Sequence, residues 1–341
     1  MDGPLQADLL AAWHRVHDAV GKACGWDAAT RTLPSAFVLA HLPSAQGKVS
    51  KAVGDARGAA FLSACDLASR AGRRSAARLR SAAVGAASAW LACSPTARAT
   101  QLSSAAFVAA GRHRLGHGPA SAVAAPPCMC DAGSAPAPDH GMTCTGTAGA
   151  RTMRHDIMAS AWRRVIRKAG CGSSAEPAYA GLAGDARAAA RAGLRRGDIC
   201  ARVGTSILVL DVVITHPAAS SYVGAASSTS GSAARRAEQD KRREFARMGD
   251  GGGYEFVPLA AETYGRLGLS AARFLSGLGD VVAASGGSKA AFVRFARSEL
   301  SCALVRGNSL VYDAALNAVL RAAGRGYLPG CPVPVEDAVD E

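Results

Sequence analysis

Two aspartates stand out in the stretch "RRGDICARVGTSILVLDVVITHP", residues 195–217: Asp198 at its start and Asp211 inside an apolar run. A carboxylate in such a run costs several kcal/mol unless something compensates it. Both "DICARV" and "SILVLDVVITH" carry β-branched and apolar residues at strand length, and they flank Gly204-Thr205. That spacing predicts a two-residue hairpin loop with glycine in its first central position. Pairing counted outward from the loop puts Asp198 directly opposite Asp211. Facing residues have Cβ atoms about 4.5–5.5 Å apart, where like charges repel. A divalent cation shared between them would remove both penalties, and hard oxygen donors suit Mg²⁺ or Mn²⁺. The plainer alternative is two unrelated surface carboxylates.

A third group points the same way. In the charged segment 233–248, Ala234, Ala237, Lys241, Phe245 and Met248 fall on one face at helical spacing. Lys241 is therefore expected to point inward with the apolar stripe, although a lone inward lysine often snorkels to the rim instead. Two acids on a hairpin plus a lysine are the working parts of a metal-dependent phosphodiesterase: metal and ammonium stabilise charge on phosphate oxygens and help orient the attacking water.

A separate cluster, "CMCDAGSAPAPDHGMTC", supplies Cys128, Cys130, His140 and Cys144. Three thiolates and an imidazole match a closed structural Zn²⁺ site, with a C-x-C first pair in place of the usual C-x₂-C. The alternative is unconnected free cysteines. The remaining cysteines have no metal spacing and read as small apolar residues.

These groups need elements to position them. Residues 5–115 read as helical and Ala-rich, with a basic cluster at 70–80 that is either a solvated face or a phosphate-contacting patch. Pro/Gly/Ala-rich residues 118–127 read as a linker. A basic helix is predicted over 154–170, with Ile157, Met158, Ala161, Val165 and Ile166 on one side and its tryptophan in the core. A β-rich section follows over about 176–216, then the Lys241 helix, a strand in 254–265, and two or three helices over about 269–325. The expected domains are a helical basic region at 1–117, linker and knuckle at 118–150, an α/β core at 151–268, and a helical tail at 269–341.

The chain has 341 residues and a formal net charge of +13. That charge favours a polyanionic partner, nucleic acid above all, over a small neutral ligand. No apolar run approaches the roughly 18 residues of a membrane span, and the acidic N-terminus is unlike a signal peptide. An intracellular, reducing compartment is expected.

The order of these parts is recognisable. Cys-Cys-His-Cys, then "RHD" (154–156), "EP" (176–177), "RRGD…LDVVI" and a downstream helical lysine resembles the C-terminal region of site-specific non-LTR retrotransposon polyproteins of green-algal type. The likeness covers roughly 85–325 and is strongest over 128–262. It implies a zinc knuckle joined to a restriction-like endonuclease of the PD-(D/E)xK class, an α+β or α/β core with a mixed sheet flanked by helices. It implies Asp198 and Asp211 as Mg²⁺ ligands, Lys241 as the catalytic lysine, and "RHD" at Arg154, His155 and Asp156. DNA is the implied substrate, nicked so that reverse transcription can start from the new 3′-OH. Element RNA, a reverse transcriptase in the same or a related polyprotein, and a nuclear location are the implied context. Polymerase function is not expected of this chain, which has no Asp-Asp pair.

Three departures are visible. Gly197 replaces the proline before the first aspartate, Val212 and Val213 follow Asp211 where the triad would continue, and Glu244 stands where a second lysine is often found. The alternative they leave open is an inactive zinc-knuckle nucleic-acid-binding module, or a relic of the element.

Further candidates are less distinctive. Glu176 could supply a third carboxylate, whereas Glu262 reads as a surface or capping residue. Arg154, His155, Arg163 and Arg164 could contact phosphate; for His155 a structural hydrogen bond is an equal alternative. His216 follows the second strand. The Gly-rich 249–254 has the wrong element order for a phosphate-cradling loop and reads as a connector.

Overall fold

Why β3 is a strand is plain from its sequence: Ser206–Thr215 is a β-branched, apolar segment buried on both faces. In a computed structural model of the chain, which describes residues 45–117, 130, 139–175, 197–246 and 254–322, β3 occupies an inner position. The sheet runs β1 (Gly172–Ala175), β2 (Ile199–Val203), β3 and β4 (Tyr254–Glu262) in spatial order. The first three strands are antiparallel neighbours, and β4 lies parallel to β3. The sheet is therefore mixed, with helices flanking it, as the sequence led one to expect.

The β2–β3 hairpin closes as predicted. Val203 pairs with Ser206 across Gly204-Thr205, and Gly204 takes a φ of 59°, which a side chain would strain. The last rung of the ladder is Ile199 with Leu210. One residue further, the Asp198 N–H donates to the Leu210 carbonyl at 3.2 Å, and its carboxylate takes the Val212 N–H at 2.5 Å. Asp198 thus holds β3 with its side chain where a ladder bond would have continued.

The helices divide between the two faces of β3. Leu208, Leu210 and Val212 join the main core with Trp162, Val165 and Ile166 of α6 (Ala148–Lys168), Leu275 and Leu278 of α9 (Leu269–Ala284), and Leu300 of α10 (Lys289–Ala322). Trp162 is fully buried there, as expected of a core residue. Val209 and Val213 face the other way. Val209 packs with Phe256 and Phe245; Val213 packs with Ala234, Ala237 and Ala260. Phe256 and Ala260 belong to β4, and Phe245, Ala234 and Ala237 to α8 (Ser232–Ala246), which follows the short α7 (Val223–Ser228) in the connection between the parallel strands. Glu262, fully buried, accepts the Ala234 N–H at 3.1 Å, so its role is to cap α8.

The chain divides into two compact units, Met1–Asp66 and Leu67–Glu341. Described in the first unit is the helix α1 (Ala45–Ala64). Within the second, α2 (Arg70–Ala82), α3 (Ala89–Ala92) and α4 (Ser104–Leu115) share a unit with the sheet. Trp90 of α3 packs with Cys302 and Val305 of α10. Among the described residues no helix is long and apolar enough to cross a membrane.

A buried polar network ties these parts together. The Tyr264 hydroxyl donates to Asp139 Oδ1 at 2.6 Å, His216 Nε2 lies 3.5 Å from the same oxygen, and His216 Nδ1 meets the Thr263 hydroxyl at 2.7 Å. His113 of α4 stacks on Tyr264 with ring centroids 4.3 Å apart. Burial pushes the His113 imidazole down to about 3, with neighbouring His216 acting in the same direction. The unfolded chain therefore takes up this proton near pH 6.5 while the folded chain does so only near 3. The stability from keeping His113 neutral is whole above pH 6.5 and is lost as pH falls below it, by about 1.4 kcal/mol per pH unit where the slope is steepest. His113→Phe is expected to flatten the fall in urea midpoint between pH 6.5 and 5; a variant curve parallel to wild type would show that His113 is not the responsible group.

Candidate functional site

Asp211 lies on the α8 side of β3, between Val209 and Val213, and α8 brings Lys241 to it. Lys241 Nζ sits 3.0 Å from Oδ1 and 3.2 Å from Oδ2, so the ammonium bridges both oxygens. Burial pushes the Asp211 carboxyl up, Lys241 pulls it back, and Asp198 with Glu244 pushes it up again, leaving it above the usual range. For Lys241, burial favours the neutral amine, but Asp211 outweighs it and the pKa is raised. Lys241 is a firmly held cation at neutral pH. Glu244 shares it, with Oε2 at 3.7 Å.

Asp198 has its own cation. His155 Nε2 of α6 lies 3.0 Å from Asp198 Oδ2, and Nδ1 lies 3.1 Å from Asp156 Oδ1. The hydrogen bond to Asp198 outweighs burial and raises the His155 pKa to about 9, so the imidazolium donates from both nitrogens. Both hydrogen bonds to Asp198 fall on Oδ2. The structure thus brings Asp198, Asp211, Lys241, His155 and Glu244 into one charged constellation. Glu176 and Met248 lie outside the described residues.

Of the α6 residues read as phosphate contacts, Arg154 is turned into the protein, and His155 and Arg164 have carboxylate partners. Arg154 is 4% exposed, and its Nη1 donates to Asn308 Oδ1 at 3.1 Å and Met142 Sδ at 3.3 Å. Burial, and then Arg151, lower it to about 10, which leaves it charged but turned inward. Arg154 therefore cannot meet a phosphate in this arrangement. The Arg164 guanidinium is taken by Glu299 at 2.5 Å, a fully buried carboxylate of α10. Arg163 is half-buried, and His155 is engaged as described.

Cys130, His140 and Cys144 converge, with their ligand atoms all within 4.8 Å of one another. Cys130 Sγ and His140 Nε2 are 3.3 Å apart. The one-turn helix α5 (His140–Thr143) sets the last two ligands, and the Cys144 N–H closes that turn on the His140 carbonyl at 2.8 Å. Burial, then Arg74, lowers the His140 pKa, which favours the neutral form that ligates. Tetrahedral ligands at Zn-like bond lengths of about 2.0–2.3 Å stand roughly 3.5–3.8 Å apart, so the three atoms need only small shifts to hold a metal ion. Cys128, the fourth expected ligand, lies outside the described residues.

Sequence reasoning missed the His155–Asp198 bond and the roles of Asp139 and Tyr264. "RHD" drew attention to His155, yet nothing local links it to a residue 43 positions away. Against known proteins, the chain matches no family model and no curated protein.

The metal group is tested by loading. The purified protein should bind one equivalent of Zn²⁺, with Co²⁺ giving thiolate charge-transfer absorption and raising the thermal midpoint. Cys130→Ser and Cys144→Ser should each lose both signals while Cys65→Ser keeps them; retention in the first two would refute the site.

Proposed function

We propose that the chain is a metal-dependent DNA endonuclease and that Asp198, Asp211 and Lys241 are its catalytic centre. One observation carries the reading: Asp198 and Asp211 stand at the open end of one hairpin, close enough for the first to raise the pKa of the second, and the lysine of the crossover helix reaches the more buried of them at 3.0 Å. The resemblance to the restriction-like endonuclease of non-LTR retrotransposons implies the same two aspartates and places the catalytic lysine at Lys241, with the departures at Gly197, Val212–Val213 and Glu244 standing against it. Cys130, His140 and Cys144 are read as a structural zinc knuckle completed by Cys128. In this reading DNA is the substrate, the nucleus the place of action, and a reverse transcriptase encoded with or near the chain the partner that uses the nick.

Carboxylate oxygens are hard donors and fit Mg²⁺. Bound there, the ion would supply charge stabilisation at the phosphate and lower the pKa of water. The protein's own residues do the rest. Asp198, fixed by the Val212 N–H and His155, offers a rigid oxygen donor. Lys241 stays protonated, so it acts as a cation toward a phosphate oxygen and not as a general base. The same ammonium holds Asp211 and competes with a metal for its oxygens.

A second reading, a non-cleaving nucleic-acid-binding module, is favoured by Glu244. Its carboxylate holds the other side of Lys241 and adds negative charge where a phosphate would approach.

Supercoiled plasmid distinguishes the two. With Mg²⁺ the wild type should give open circles, EDTA should stop it, and Asp211→Ala should lower the rate by at least 10²-fold. Lys241→Ala should bind Mn²⁺ more tightly, because a competing cation is gone, yet nick on the order of 10²-fold more slowly. Intact plasmid that is still retarded on a gel would establish the binding module instead.

A further inference from the structure

Beside the N-terminal end of α8 the surface opens into a cleft of about 780 Å³ that neither the carboxylate pair nor the knuckle uses. Its floor is apolar, with Leu275 of α9 and Val293 of α10, while Arg235, Arg266, Lys289 and Arg297 stand around it, and its lining contains no carboxylate. Two of these cations are already engaged: Lys289 pairs with Asp280 at 2.5 Å, and Arg266 donates to the Arg80 carbonyl at 3.0 Å. Arg235 and Arg297 are exposed and make no ion pair among the described residues. The nearby N-terminus of α9 is not the attraction, since the buried Glu238 already accepts the Ser270 N–H there at 2.9 Å. What selects the occupant is therefore the guanidinium pair, in a chain of net charge +13.

From this charge complementarity we infer that the cleft holds the sugar–phosphate backbone of a nucleic-acid strand, with Arg235 and Arg297 each on a phosphate. Arg235 and Lys241 lie on the same helix, six residues and so about 9 Å of rise apart. At ~3.4 Å per nucleotide along one strand, that rise alone spans some two or three nucleotides, so the cleft lies at least that far from the Asp211–Lys241 pair. It would fix the register of the strand presented there. Exposed arginines that contact phosphate position a polymer without reading its sequence. The inference deepens the nuclease reading and rests on it for the identity of the polymer.

The test is the salt dependence of binding to a labelled DNA duplex, by fluorescence anisotropy in EDTA so that nothing is cut. Each phosphate left without its arginine makes the slope of log K against log salt shallower by about 0.9. The R235A/R297A double variant should therefore bind with a slope shallower by about 2, and more than tenfold more weakly at 0.1 M salt. R235K/R297K should stay close to wild type, because charge and not packing is at stake. Both residues are exposed, so thermal midpoints should agree; a variant that melts early is replaced by R235Q/R297Q. An unchanged slope overturns the inference, as does a wild type that binds polyglutamate but not DNA. Plasmid nicking run alongside separates the two readings. A shallower slope with no nicking by wild type leaves the cleft standing without the nuclease, and nicking with an unchanged slope does the reverse.

Discussion

A carboxylate inside an apolar strand must be met by a cation, and at Asp211 that requirement governs where α8 can lie. The helix packs small residues, Ala234 and Ala237, against Val213 and Ala260, which lets its axis come close to β3 and β4. One turn further on, Lys241 arrives at the carboxylate, and beyond it Phe245 stacks on Phe256 with ring centroids 4.3 Å apart. The ion pair is thus held between two apolar contacts on the same helix face. Removing the lysine alone would leave a half-buried charge with Asp198 and Glu244 as neighbours, a costlier state than removing both partners.

The same electrostatics explain the resting state of the constellation. Asp198 and Asp211 repel one another, and each has recruited a cation from a different helix: His155 from α6 and Lys241 from α8. In the proposed nuclease, metal binding would be an exchange of cations and not the filling of a bare acidic pair. Such a site would be stable before loading, and its affinity for a divalent ion would be reduced by the work of displacing an ammonium. Glu244 weakens that competition slightly, because it offers Lys241 another place to go.

Much of this arrangement is legible in the sequence because it is local. Gly204-Thr205 fixes the turn, the turn fixes the register, and the register brings Asp198 to Asp211 across a few residues of ladder. The inward face of α8 follows from its spacing. What escapes a reading of the sequence is carried by pairs far apart in the chain. Tyr264 and Asp139 are 125 positions apart, and Arg154 and Asn308 are 154. Arg154 looked like a surface cation because it sits among other basic residues, but helix phase places it against α10, where an asparagine and a methionine sulfur receive it. The basic charge of α6 misled for one reason: burial depends on which neighbours arrive, and those neighbours lie at the other end of the sequence.

The buried network also reaches the Cys130–His140–Cys144 group. Asp139 precedes the ligand His140, and its carboxylate accepts from Tyr264, which follows β4, beside His216, which follows β3. Burial alone would raise Asp139, yet His216 and the Tyr264 hydroxyl together hold it below the ordinary carboxylate range. Met142, two residues past His140, is buried against Val311 and Tyr312 of α10. A metal-ligand turn anchored on both sides to the ends of the sheet and to a core helix does not behave as a module on a tether. A metal ion held by Cys130, His140 and Cys144 would fix the position of Asp139 as well, and through it bear on the C-terminal ends of β3 and β4. Asp211 lies on that same β3 strand, only four residues before Thr215, whose carbonyl takes the Thr263 N–H at 2.8 Å. The Cys130–His140–Cys144 group and Asp211 are thus linked through the ends of the two parallel strands.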